Sequence, residues 1–118
     1  MEYNLADREQ EIGSACNTTQ EADYTGVTIV ELTPESALQD YLQAMELANA
    51  EAQQQIGDHM LLSWYDRDRD FESPQHSSEC HSASAIPGYV DYGLHHGAKL
   101  KIDIENGRFI FFYLALDL

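Results

Sequence analysis

Apolar and polar positions fall into short runs, and the period of each run predicts an element. Val27-Thr28-Ile29-Val30-Glu31-Leu32 is rich in β-branched residues over a short length and reads as a strand. Thr33-Pro34 then reads as a helix start: the Thr33 hydroxyl can accept from an orphan amide, and Pro34 sits where no amide partner is needed. Leu38, Tyr41, Leu42, Met45, Ala48, Ala52 and Ile56 recur at steps of three and four, giving one apolar stripe. Gly57 suits the left-handed cap that ends it. A lone amphipathic helix needs a core to be stable, so this stripe is expected to pack on a sheet.

Met60, Leu62 and Trp64 alternate with Leu61, Ser63 and Tyr65, which predicts an interior strand over 59–65 with apolar groups on both faces. Beyond a polar stretch, Ile86, Tyr89, Val90 and Leu94 lie at helical spacing, with Pro87 near the first turn and Gly97 past the end. Leu100, Ile102 and Ile104 alternate with Lys99, Lys101 and Asp103, and Asn106-Gly107 supplies two left-handed residues for a type I′ turn. A two-residue turn sets Ile104 against Phe109, Ile102 against Phe111 and Leu100 against Tyr113. Ile110, Phe112 and Leu114 then form a second apolar face, which must be central, covered by a helix or used in self-association. With two helices available as cover, a two-fold homodimer is expected.

The order β-α-β-loop-α-β-β implies a two-layer α+β domain with a four-stranded mixed sheet and a C-terminal β-hairpin. If the first two strands are parallel, their crossover is right-handed. Residues 1–25 show no sustained period and carry Glu2, Asp7, Glu9, Glu11, Glu21 and Asp23 against Arg8 alone. They are expected to form an acidic flexible arm ahead of a single domain over 26–118.

Charge narrows the possible partners. The chain has 118 residues and a formal charge of −15, from 21 acids and 6 bases. A phosphate backbone or an anionic membrane surface would be repelled, which argues against direct nucleic-acid binding and against membrane association. No apolar run approaches the roughly 20 residues that span a bilayer. The start Met-Glu-Tyr-Asn-Leu lacks the basic, then apolar, pattern of a signal peptide, so a cytoplasmic location is expected. Without export, Cys16 and Cys80 are expected to be thiols.

The reactive side chains concentrate between Asp66 and Ser84, a 19-residue stretch longer than most connections in a compact domain. It opens with Asp66-Arg67-Asp68-Arg69-Asp70. That spacing resembles the first half of an EF-hand loop, but Phe71 stands at the glycine position and Ser77 at the bidentate glutamate position, so calcium is rejected. The run is either a solvated set of charges or a place where Arg67 or Arg69 binds a small anion. His76, Cys80 and His81 follow, and neutral imidazole and thiolate are the ligands that zinc prefers, although the spacing matches no specific zinc motif. The plainer reading of the same residues is loop polarity with a partly buried free cysteine, and a third is a thiolate activated by His81. His95 and His96, in the last turn before Gly97, suit a helix C-terminus, with Asp91 four residues before His95. Trp64 and Tyr65, at the end of the second strand, are core and rim residues or ligand contacts, since ligands of open sheets collect at strand ends.

The stretches Ser63-Trp64-Tyr65-Asp66-Arg67-Asp68, Ser73-Pro74-Gln75-His76, Pro87-Gly88-Tyr89-Val90-Asp91-Tyr92 and Asn106-Gly107-Arg108-Phe109 resemble an uncharacterised family of small proteins from sulfate-reducing bacteria and archaea. The resemblance runs from about residue 27 to the end. It implies a cytoplasmic, anaerobic setting and no assigned activity.

Three functional readings remain open. The first is a small non-enzymatic binding or accessory module that works through the 66–84 loop, with Trp64, Tyr65, Arg67 and Arg69 as candidate ligand or anion contacts. The second is a metal- or thiol-dependent enzyme on His76, Cys80 and His81, with zinc as the implied cofactor. The third is an acidic nucleic-acid mimic that occupies a basic protein partner.

Overall fold

The structure is a computed structural model that describes residues 22–75 and 86–116. Its elements are β1 (Thr28–Leu32), α1 (Tyr41–Ile56), β2 (His59–Asp66), a 3-10 turn (Arg67–Arg69), β3 (Phe71–Ser73), α2 (Gly88–His95), β4 (Leu100–Ile104) and β5 (Phe109–Ala115). One mixed sheet runs in the order β1-β4-β5-β2-β3. Only the β1/β4 pair is parallel. The sheet thus has five strands, not four: the extra strand, β3, lies inside the stretch read from its polarity as loop. β1 and β2 do run in the same direction, but β4 and β5 separate them.

The hairpin follows its pattern closely. Ile104 faces Phe109, Ile102 faces Phe111 and Leu100 faces Tyr113. At the turn, Asn106 (φ 55°) and Gly107 (φ 86°) are left-handed, and so is Glu105 (φ 55°). The Arg108 amide donates back to the Glu105 carbonyl at 3.3 Å, but the ladder stops at Ile104 and Phe109, so the connection is a four-residue turn over 105–108 and not the expected two-residue one.

Alternate residues of β5 face opposite ways, and each face has its own helix. Phe109, Phe111 and Tyr113 pack with Leu100, Ile102 and Ile104 against Ala44, Ala48 and Ala52 of α1. Ile110 and Phe112 pack against Tyr89 and Val90 of α2. The two-layer expectation is therefore corrected to three layers, because a strand apolar on both faces needs cover on both. That cover comes from the same chain, which removes the ground on which the homodimer was expected. Tyr24, assigned from the sequence to the arm, also lies on the α2 face: it stacks on Phe112 (centroids 6.4 Å apart, planes within 4°) beneath Lys101 Nζ, 4.7 Å from its ring centre.

Helix α1 begins seven residues later than Thr33-Pro34 implies. Its cap is Asp40, whose carboxylate accepts from the Leu42 and Gln43 amides at 3.1 and 3.2 Å. The segment before it is held away from helical pairing, because the Leu38 amide donates to Glu105 Oε2 (3.1 Å) and the Leu38 carbonyl accepts from Arg108 Nη1 (2.8 Å). The buried stripe is correspondingly rotated. Ala44 joins Ala48 and Ala52, while Leu42 points to solvent at 56% exposure. At the far end Gly57 caps at φ 71°.

Strand β2 does not alternate evenly. Leu61 pairs with Tyr113 and Ser63 with Phe112, so Leu62 is the extra residue of a bulge. Leu61 thus shares the α1 face with Trp64, while Leu62 and Ser63 both turn toward α2. There the Ser63 hydroxyl donates to the Tyr89 carbonyl at 2.7 Å. Directly above, a Cβ on Gly93 would lie 2.8 Å from Phe112 Cγ and 2.9 Å from Phe112 Cβ, so only glycine lets α2 approach this closely.

Candidate functional site

Three of the six bases, Arg67, Arg69 and Arg108, gather at one end of the sheet, where β2 runs out and the β4–β5 turn folds back. The run Asp66–Asp70 forms an ordered turn whose last four charges, Arg67 to Asp70, are solvent-exposed. Asp66 is buried, yet it caps the 3-10 turn: Oδ1 accepts from the Asp68 amide at 3.0 Å and Oδ2 from Arg69 Nε at 2.6 Å. A buried carboxylate is tolerable only when it is paired and hydrogen-bonded in this way. Asp70 then takes a left-handed conformation (φ 48°, ψ 48°) that turns the chain into β3.

Arg69 rests on an aromatic floor. Its guanidinium carbon is 4.0 Å from the Tyr41 ring centre, 4.9 Å from Phe71 and 6.0 Å from Trp64. Trp64 is itself stacked between Tyr41 (5.5 Å) and Phe111 (5.9 Å). The cation thus lies across the end of α1, with Nε committed to Asp66 and the side chain 45% exposed. Arg67 leaves the turn toward the hairpin, where its Nη1 reaches the Asn106 carbonyl at 3.3 Å. Among the described contacts Arg67 and Arg69 share no partner, so nothing draws them together onto one anion.

Arg108 is the more fully engaged base, and the sequence reading missed it. Nε and Nη2 donate to Asp68 Oδ2 (2.9 and 2.7 Å), and Nη1 donates to Glu105 Oε1 (2.6 Å) and to the Leu38 carbonyl. One side chain thereby joins the 3-10 turn, the hairpin and the approach to α1. The hydrogen bond from Arg108 holds the Asp68 carboxyl below its ordinary range, and the same bond raises Arg108 further. Two pairs had a local signal, the i,i+3 spacing of Asp66/Arg69 and of Glu105/Arg108. The Tyr41 floor and the Arg108 contacts to Asp68 and Leu38 were unreadable, because those partners lie far away in sequence.

Tyr65 is on the opposite face, stacked on Tyr89 (4.9 Å, planes within 8°), with its hydroxyl 3.5 Å from Asp70 Oδ1. Burial, followed by the Asp70 charge, raises its pKa. Trp64 and Tyr65 are therefore packing residues on the two faces of the sheet, and of the two only Trp64 borders the Arg69 platform. His76, Cys80 and His81 lie outside the described residues; among those described, no three His, Cys, Asp or Glu side chains come together as metal ligands. His95 and His96 sit at the exposed end of α2, where the His96 ring stacks on Tyr92 (4.0 Å).

Comparisons with known proteins show kinship without assigning a role. No curated protein matches the chain. A crystal structure of AF1514, described as a novel protein from Archeoglobus fulgidus, is similar over 77% of this chain and 96% of its own, with 18% identity and a TM-score of 0.53. At that identity the likeness shows the fold alone. No helix among the described residues is long and apolar enough to cross a membrane. The resemblance to an uncharacterised family holds at the level of a domain: the model of a domain of unknown function, DUF5619, matches residues 27–113, and the chain belongs to that family.

Proposed function

We propose that the chain is a small non-enzymatic binding or accessory module working through the 66–84 segment, with Arg69 as its anchor for a carboxylate or phosphate group. The observation that carries this reading is the state of the Arg69 guanidinium: it is held below by Tyr41 and along its Nε edge by Asp66, while the side chain stays 45% exposed. A planar donor fork already held in place loses little freedom when it meets an oxyanion. Asp66 offsets its charge, so recognition rests on two parallel hydrogen bonds and is modest in strength. A cytoplasmic, anaerobic setting in sulfate reducers and archaea belongs to the same proposal, and in such a setting Cys80 would remain a thiol.

Trp64, the only tryptophan, lies 6.0 Å from Arg69 and reports on the site directly. Titration with citrate and, separately, with inorganic phosphate is expected to give a saturable change in its fluorescence with one of the two. Arg69→Gln should abolish the change. Arg69→Lys, which keeps the charge without the fork and leaves Asp66 paired, should weaken it several-fold. A response that never saturates, or that is equal in wild type and Arg69→Lys, overturns the reading. Zinc is the decisive competitor: tight binding near neutral pH that is lost in mild acid and in Cys80→Ser would replace the module with a metal site.

A further inference from the structure

We infer that the outer edge of β1 is a docking site for an extended, basic segment of a partner protein, which adds to the sheet as a sixth strand. In a parallel pair, alternate residues turn their backbone groups to the neighbour. The Thr28 amide donates to the Lys99 carbonyl, and the Leu32 carbonyl accepts from the Glu105 amide, both at 2.9 Å. Thr28, Val30 and Leu32 therefore face β4, while Ile29 and Glu31 direct their N–H and C=O groups away from the sheet. The two edges of the sheet differ in this respect. β3 has three residues and ends against Pro74, which has no N–H to offer, whereas β1 has five residues and no proline. A short edge stopped by proline is protected against strand addition, and β1 lacks that protection.

The side chains along β1 point to the chemistry of the partner. Ile29 is 46% exposed on the α2 face, and Val30 and Leu32 are half-buried on the α1 face. Glu31 lies in register beside Asp103 on the neighbouring strand, a like-charged pair that is unfavourable as it stands. Lys101, in register with Ile29, is taken up by the Tyr24 ring. A lysine or arginine opposite Glu31 relieves the repulsion, and a neighbouring apolar residue covers Ile29. Two copies each carrying −15 repel one another, which favours a basic partner over a second copy of this chain. This is strand addition, in which backbone bonds supply affinity and alternate side chains supply selectivity.

The probe is a fluorescein-labelled peptide of alternating valine and lysine, titrated against the full chain. Saturable binding that weakens as salt is raised is expected. Ile29→Pro removes an outward N–H that β4 does not use, so the fold should be retained while binding falls about tenfold or more, roughly 1.4 kcal/mol. Glu31→Lys should weaken binding in a salt-dependent way. A second probe needs no variant to fold: the same peptide with alternate amides N-methylated should not bind. Equal binding of the methylated peptide, no binding of either, or sedimentation of the unliganded chain as a dimer that Ile29→Pro dissociates would each overturn the inference.

Discussion

On the α1 face, close approach is shared among Ala44, Ala48 and Ala52 along three turns of helix, above a floor of Phe109, Phe111 and Tyr113. On the α2 face it falls on Gly93 alone, seated on Phe112 and the Ser63 hydroxyl in a helix half as long. Both faces set small helix residues over large strand residues. They should differ in tolerance, because a load spread over three alanines can relax by small shifts, whereas one concentrated at a single contact cannot.

The largest effect should strike both faces at once and so tests whether they melt together. Tyr113 is buried on the α1 face and Tyr89 on the α2 face, and burial pushes both phenols well above their ordinary value of 10. Folded, they stay neutral; unfolded, they ionise near pH 10. Their contribution is therefore complete below pH 10 and is lost as pH rises toward the folded values, at a slope approaching about 1.4 kcal/mol per pH unit for each phenol. Urea unfolding followed by phenolate absorbance should show one transition with a falling midpoint. Two transitions would mean that the faces are independent.

Gly93→Ala separates the faces. Helix propensity alone would favour alanine by up to about 1 kcal/mol, but the added methyl meets the base of the Phe112 side chain, and overpacking of this kind costs about 1–3 kcal/mol. The clash should win, for a net loss of about 1–2 kcal/mol by urea unfolding. The opposite exchange on the other face, Ala48→Gly, should also destabilise, by about 1 kcal/mol, through propensity. Stabilisation by Gly93→Ala would erase the distinction. The smallest effect is that of Ser63→Ala, about 1 kcal/mol or less, for the lost bond to the Tyr89 carbonyl.

What could be read in advance divides along similar lines. The hairpin register, the glycine caps at 57 and 97 and the existence of β1, α1, β2 and α2 were legible, because each depends on near neighbours. Asp40 carried a capping signal as well, an acid followed three residues later by Gln43, but Thr33-Pro34 gave a competing start. That start lost to contacts from Glu105 and Arg108 across the fold. The bulge at Leu62 and the third strand of the 66–84 stretch were hidden because they depend on which strand lies alongside. At the site, the spacing of Asp66 and Arg69 was visible, but the Tyr41 floor and the Arg108 clamp were not. Those residues are brought together only by the pairing of β2 with β5 and the docking of α1.

The strand order also governs when the sheet can form during synthesis. β1 has β4 as its sheet neighbour, and β2 has β5 and β3. Apart from the three-residue β3, every partner that the first two strands need is therefore made after residue 99. On the ribosome the chain lengthens at about 5–20 residues per second. Val30, Leu32, Leu61 and Trp64 must thus wait, exposed, for several seconds until β4 and β5 emerge. The acidic character of the surrounding chain, of little use for packing, guards those waiting strands against association with one another.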